Sequence, residues 1–245
     1  MIEVRGLERT FGTVKAVDGV SFVAEDGQVT GLLGPNGAGK TTTMRILSGL
    51  VHADAGSAFI DGIDVGRRPR EAQRRLGILP DARGLYPRLT ARENIRYFGE
   101  LHGVAIDRLD ATIGELSHLL GMDALLERRV EGFSQGERAK VAIARALVHR
   151  PSSVILDEPA NGLDVMSTRA LRSAIESLRD RGVCVVLSSH VMQEVSALCD
   201  RIVIIARGRV VASGRPDQIR DQAGTEDLED AFVQLAQMTE QVEDV

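Results

Sequence analysis

Between residues 29 and 49 the chain reads VTGLLGPNGAGKTTTMRILSG: a short apolar run, a glycine-rich loop and a helical pattern in immediate succession. A strand that passes through such a loop straight into a helix is the opening of a βαβ unit, and it ties the chain to a sheet whose ligands sit beyond the strand ends. Within the loop, Gly34, Pro35, Asn36, Gly37, Ala38, Gly39, Lys40 and Thr41 match the pattern GxxxxGK[ST]. The glycines let the backbone curl so that successive N–H groups point inward at phosphate oxygens. Lys40 supplies a mobile positive charge for β- and γ-phosphates, and the Thr41 hydroxyl is suited to magnesium. The helix that follows aims its positive N-terminal dipole at the same anion. This is the sequence of a nucleotide site.

The rest of the chain fits around that unit. Met1 to about Thr30 reads as short strands with turns at Asp18-Gly19 and Asp26-Gly27, a β-hairpin region. Another short strand is expected around Ile78. From Pro87 to Pro151 the pattern is helical, with Ile113, Leu116, Leu119 and Leu120 at helical spacing and a helix ERAKVAIARALVHR stopped by Pro151. Strands return as SSVILDE, VCVVLSSH and the pair in RIVIIARGRVVASG; a helix carrying Leu171, Ala174, Ile175 and Leu178 on one face separates the first two. Strand–helix alternation predicts an α/β fold with a parallel sheet covered by helices. The helical block at about 87–150 reads as an insertion in one domain spanning 1–220, and residues 221–245 as an acidic helical tail.

Composition bears on partners. The net charge is -5 and the pI is near 5.6, which argues against a nucleic-acid partner. The one dense basic run, RRPREAQRR at 67–75, reads as a solvated helix face. Aromatic residues make up 3% of the chain and tryptophan is absent, so the core has to come from Leu, Ile, Val and Ala. Cys184 and Cys199 lie in apolar segments without metal-ligand spacing and read as buried free thiols of a reducing compartment. No signal-peptide pattern and no apolar run of membrane-spanning length occur in the sequence. Any membrane role therefore needs another polypeptide.

Three strands end in chemically suggestive residues: the loop at Gly34, the acidic pair Asp157-Glu158, and His190. Asp157 is suited to holding magnesium at a strand tip. Strand alternation would point Glu158 away from it, toward an attacking water. Each has a plainer explanation, a solvated turn for the acidic pair and a structural histidine for His190. Farther back, Ser134 and Glu137 have capping-box spacing before a helix. Gly136 inside that first turn costs about 0.5–1 kcal/mol relative to alanine, which points to close approach of a ligand or another backbone. Cap and phosphate contact remain equal readings of this segment.

Taken together, these residues resemble the ATP-binding subunit of ABC transporters over essentially the whole chain. GPNGAGKT at Gly34–Thr41 looks like its Walker A motif and VILDEP at Val154–Pro159 its Walker B motif. NGLD at Asn161–Asp164 resembles the D-loop, His190 the switch histidine, and FSQGE at Phe133–Glu137 the LSGGQ signature. The resemblance implies a P-loop NTPase (RecA-like) core with an N-terminal antiparallel β subdomain and an inserted helical signature subdomain. It implies ATP and Mg2+ as ligands, with Phe11 stacked on adenine, where the residues alone suggest a core phenylalanine. The segment Gly34 to Thr42, with Lys40, would hold the phosphates, and Thr41, Asp157 and Asp81 would be the metal oxygens. Glu158 would activate water, and His190 would contact the γ-phosphate. Ser134, Gly136 and Glu137 would face the nucleotide of a second subunit in an ATP-dependent homodimer. A separate transmembrane permease would hold the pair at the inner face of the cell membrane. Two departures stand out: the signature is FSQGE, and Asp81 in LGILPD replaces the usual Q-loop glutamine, its shorter, charged side chain leaving two readings, a carboxylate that approaches magnesium or water and a local turn residue. The segments GLYPRLTARENIRYFGELHG and LEDAFVQL look most like sodium- and drug-exporter subunits. The competing implications are a soluble ABC-type ATPase working on DNA or ribosomes, and a regulatory module that binds ATP without hydrolysing it.

Overall fold

The computed structural model describes residues 1–81 and 84–237. Two sheets share the work. The first is antiparallel, with β1 (Ile2–Phe11) between β2 (Val14–Ala24) and β4 (Ala55–Ile60), and β5 (Ile63–Asp64) at its edge. The second runs β10-β9-β3-β8-β7-β6, formed by β3 (Val29–Leu33), β6 (Leu76–Leu79), β7 (Ser153–Leu156), β8 (Cys184–Ser188), β9 (Arg201–Ala206) and β10 (Arg209–Gly214). All its pairings are parallel except the β9–β10 hairpin.

The apolar runs of the second sheet follow from burial on both faces. Val154 and Leu156, Val185 and Leu187, Ile202 and Ile204 enter one core together with the helices. Their neighbours Ile155, Val186, Val203 and Ile205 enter a second core shared with the antiparallel sheet and α1 (Lys40–Leu47). Strand alternation thus feeds two layers at once. Cys184 and Cys199 are buried and free, and burial pushes their thiols up to about 11 and about 12.

The hairpin region differs from its sequence reading in one respect. Asp26-Gly27 is a turn, but Asp18-Gly19 lies inside β2, where the pairing steps from Leu7↔Val20 to Glu8↔Asp18. Gly19, at φ 75°, makes a bulge, and the β1–β2 turn falls at Gly12-Thr13. A left-handed glycine serves a bulge as readily as a turn, so the dipeptide alone does not separate them.

The basic run becomes α2 (Pro69–Gln73), exposed apart from Ala72 and half-buried Pro69 and Gln73. The helical segment comprises α3 (Ala91–Leu101), α4 (Ile106–Leu119) and α5 (Gln135–Leu147). Ile113 and Leu120 are fully buried, with Leu116 and Leu119 packed beside them. The last of these helices ends at Leu147, short of Pro151, and Arg150 takes φ 53°. It lies directly on the parallel sheet: a Cβ on Gly77 of β6 would sit 2.4 Å from the Ala146 carbonyl oxygen. After β7 come α6 (Val165–Asp180), with Leu171, Ala174 and Ile175 inward, and α7 (Met192–Leu198). The expected boundary at 220/221 falls inside α8 (Pro216–Ala223). The following α9 (Leu228–Gln237) buries Leu228, Ala231 and Leu235 in the sheet's own core. Residues 238–245 of the expected tail lie outside the described residues.

Candidate nucleotide site

The loop between β3 and α1 is shaped by contacts that tolerate no side chain. A Cβ on Gly34 would lie 2.1 Å from the Ile205 carbonyl oxygen, and one on Gly39 2.3 Å from that of Ala16. Gly39, at φ 104°, is the N-cap of α1 and supplies no side-chain cap; the first turn carries no acidic residue. The first N–H groups of this helix are therefore left for an anion. The turn between β9 and β10 braces the loop from behind. The Gly208 N–H donates to the Ala38 carbonyl at 2.9 Å, and the Gly208 carbonyl accepts from Asp18 N–H at 2.8 Å.

Lys40 folds back over the loop, its ammonium donating to the Gly34 carbonyl at 2.5 Å and to that of Pro35 at 3.1 Å. Burial lowers its pKa, while the nearby Glu158 and Asp157 carboxylates act in the opposite sense. A cleft of about 570 Å3 opens in front, lined by Asn36–Thr42, by Ile78–Asp81 at the end of β6, and by Asp157 and Glu158 beyond β7. The structure thus gathers Lys40, Thr41, Asp81, Asp157 and Glu158 around one space.

The acidic pair sits differently from the strand-alternation reading. β7 ends at Leu156, and Glu158 takes φ 47°, so both carboxylates line the cleft. Ser188, fully buried at the end of β8, accounts for the arrangement. Its hydroxyl donates to Asp157 Oδ1 at 2.6 Å and accepts the Glu158 N–H at 2.9 Å. Glu158 Oε2 in turn meets His190 Nδ1 at 2.8 Å. Sequence reasoning took that strand end for its histidine and passed over Ser188, although a serine closing an otherwise apolar strand was the available signal.

His190 reaches the cleft only through Glu158, and Phe11 and the Ser134–Glu137 segment do not line it. Phe11 is 46% exposed, so it is no core residue, and the Arg9 guanidinium lies 4.7 Å from its ring centroid. Ser134, Gly136 and Glu137 open α5 and do not line the cleft. Their capping box is complete: Glu137 N–H donates to Ser134 Oγ at 3.2 Å, and Ser134 N–H to Glu137 Oε2 at 2.8 Å. These bonds hold the Glu137 carboxyl below the usual range, the Ser134 N–H contributing most. A Cβ on Gly136 would lie 2.5 Å from Ser167 Oγ in the first turn of α6, so close packing against the Ser167 side chain gives that glycine an internal reason.

An uncapped helix start wrapped by a glycine loop, at the carboxyl edge of a parallel sheet, defines the P-loop nucleotide-binding proteins, and this chain is one of them. The chain belongs to the ABC transporter family, whose model matches residues 17–161, and is an ATP-binding and ATP-hydrolysing subunit of that family. It is 43% identical over 221 residues to the ABC transporter ATP-binding protein NatA of Bacillus subtilis, covering 90% of both chains. It is 34% identical over 235 residues to the linearmycin resistance ATP-binding protein LnrL of the same organism, covering 96% of this chain and 74% of that one. Among solved structures, an ATP-binding subunit of an ABC transporter superposes with a TM-score of 0.89 at 30% identity, covering 96% of this chain and 99% of the other. A dimeric bacterial ABC transporter cassette shares the fold, with a TM-score of 0.80 at 23% identity over 88% of this chain and 98% of that one.

Proposed function

We propose that the chain binds magnesium-ATP in the cleft before the P-loop and drives export through a separate permease, as one half of an ATP-closed homodimer. The observation that carries this reading is the convergence of Lys40, Thr41, Asp157 and Glu158 on one cleft. Backbone N–H groups of Gly34 to Thr42 receive the phosphates, and Lys40 places its charge on the β- and γ-positions. Its carbonyl contacts with Gly34 and Pro35 exchange for phosphate oxygens when ATP enters. The exposed Phe11 ring, backed by Arg9, offers adenine a flat apolar face.

The donor set suits magnesium. Thr41, Asp157 and Asp81 present only oxygens, and magnesium is ordinarily held by one or two carboxylates completed by phosphates and waters. Among the described residues no group of three or more His, Cys, Asp or Glu side chains holds a metal on its own, so the phosphates complete the set. Bound there, the ion neutralises charge developing on the transferred phosphoryl group. The chain supplies the rest. Glu158 takes the proton of the attacking water, and His190, through its 2.8 Å contact, fixes the carboxylate and reaches toward the γ-phosphate.

Ser134, Gly136 and Glu137 belong to the cleft of a second copy. That they do not line the cleft of their own chain supports that assignment, since a signature contact made across a dimer needs no closeness within one subunit. For the permease, the supporting feature is an exposed aromatic face. Tyr86 and the half-buried Phe98 each meet Tyr97 edge to face, at 5.5 and 5.6 Å, and Leu101, one turn on from Tyr97, is 63% exposed. No described helix is long and apolar enough to cross a membrane, and docking on that face would hold the subunit at the membrane's inner surface. Export is favoured because relatives are named for linearmycin resistance and for Nod factor export.

Glu158→Gln tests the core of this reading. The variant should bind ATP normally, hydrolyse it about 10²–10⁴-fold more slowly, and accumulate as an ATP-bound dimer in gel filtration. Wild-type turnover in the variant would remove Glu158 from the chemistry; a monomer with ATP bound would remove the sandwich.

A further inference from the structure

The acidic pair is aligned by a fully buried residue that does not itself line the cleft. Ser188 is wholly buried, and both hydrogen-bonding capacities of its hydroxyl are committed in a defined sense. Its one proton goes to Asp157 Oδ1 at 2.6 Å, and its oxygen accepts the Glu158 N–H at 2.9 Å. The Ser188 hydroxyl therefore touches the two adjacent carboxyl-bearing residues through different atoms, a side-chain oxygen in one and a backbone nitrogen in the other.

Both contacts have consequences. With Oδ1 occupied by a short charge-assisted bond, Asp157 cannot rotate freely, and Oδ2 is left as the oxygen for the metal. Glu158 adopts φ 47°, a region that non-glycine residues take up only where surroundings enforce it. The bond to Ser188 Oγ is the enforcing contact at its own nitrogen. Without it the chain would relax toward extended backbone, and strand alternation would turn the Glu158 side chain off the cleft. The register explains why position 188 can do this: Leu156 pairs with Leu187 across parallel strands, so the residue after Leu187 lies beside the pair that follows Leu156.

We propose that Ser188 is a positioning residue for hydrolysis, fixing the Asp157 oxygen that faces magnesium and locking Glu158 in its catalytic backbone conformation. This rests on the reading of Asp157 as a metal-holding residue and Glu158 as the base. Other candidates carry less. The stacked His102–His149 pair has no ligand chemistry attached to it, and the thiols at 184 and 199 are buried, with burial raising both and so keeping them protonated.

The test compares Ser188→Ala, Ser188→Thr and Asp157→Asn in the full chain. Removing an outer partner of a metal-holding carboxylate ordinarily weakens metal affinity or activity by about 10–100-fold. Ser188→Ala should accordingly raise the magnesium concentration needed for half-maximal hydrolysis by about tenfold and lower kcat similarly. ATP affinity without metal should change less than about twofold, since the phosphate cradle is untouched. Independently of turnover, amide exchange followed by NMR should speed up at Glu158 by at least about tenfold. Ser188→Thr, which restores the hydroxyl, should recover most of each effect; if its methyl group prevents folding, the exchange at Glu158 in Ser188→Ala still decides. Unchanged magnesium requirement and unchanged Glu158 exchange in Ser188→Ala overturn the proposal. So does a parallel fall of metal-free ATP affinity, Tm and rate that threonine does not rescue. If Asp157→Asn leaves the magnesium requirement intact, the metal reading itself is wrong; if that variant shifts it while Ser188→Ala does not, only the role of Ser188 falls.

Discussion

The starts of α1 and α5 can be set side by side, because each was a candidate to hold phosphate. α1 begins at a left-handed glycine, without a side-chain cap and without an acidic residue in its first turn. α5 begins at Ser134 with both bonds of a capping box in place and a carboxylate in its first turn. An anion arriving at α1 meets N–H groups with nothing else to bind; one arriving at α5 meets a helix start already served by its own side chains. On the proposed reading the open start receives the subunit's own nucleotide. The closed start is stable without any ligand, which suits a surface that waits for a partner.

The contrast can be broken most severely at the open end. Lys40→Ala should remove nucleotide binding and depress hydrolysis by more than about 10³-fold, checked by a binding isotherm and a phosphate-release assay. Normal turnover in that variant would take the cleft out of the chemistry.

At the closed end, Gly136→Ala sharpens the comparison. The helix gains about 0.5–1 kcal/mol from losing a glycine, while the new Cβ would fall 2.5 Å from the Ser167 hydroxyl and displace it. Stability should thus stay within about 1 kcal/mol of wild type. Hydrolysis should drop by about tenfold or more if the glycine also faces a partner's phosphate. Activity that tracks thermal stability would leave only the packing role. Ser134→Ala comes next. Loss of the cap should cost about 0.5–2 kcal/mol, read in urea unfolding, and an unchanged midpoint would mean the capping box contributes nothing.

An effect confined to acid pH lies beyond the far end of α5. His149 Nε2–H donates to the Leu76 carbonyl at 3.2 Å and the ring stacks on His102 at 3.7 Å. Burial, reinforced by His102, pushes its pKa down to about 4. The folded state keeps it neutral while the unfolded chain takes up a proton below the model-peptide value near 6.5. Stability is therefore full above that value and falls as pH drops toward 4. Tm should decline by about 2–4 °C per pH unit over that window, and His149→Gln should flatten the slope.

How much of this could be read without coordinates depends on how local each signal is. The strand, loop and helix around Lys40 were legible because residue type, spacing and order all sit within about twenty positions. The parallel sheet was legible from its doubly buried strands. Gly19 was misread as a turn, since its conformation is decided by the partner strand. The side-chain direction of Glu158 was misread because a buried serine thirty residues downstream, Ser188, ends the β geometry there. Gly136 was left between two explanations, and the one internal to the chain depends on Ser167, whose approach no local pattern encodes.

The bracing of the P-loop by Gly208 has a thermodynamic consequence. A flexible phosphate-binding loop would have to surrender backbone freedom at the moment of capture, on the order of 1–2 kcal/mol per residue. Here the Ala38 carbonyl is tied to the β9–β10 turn, and that turn to Asp18 in the antiparallel sheet. The entropy is lost once, during folding, so the cradle is preorganised and, on the proposed reading, the free energy of ATP contact remains for closing the dimer and moving the permease.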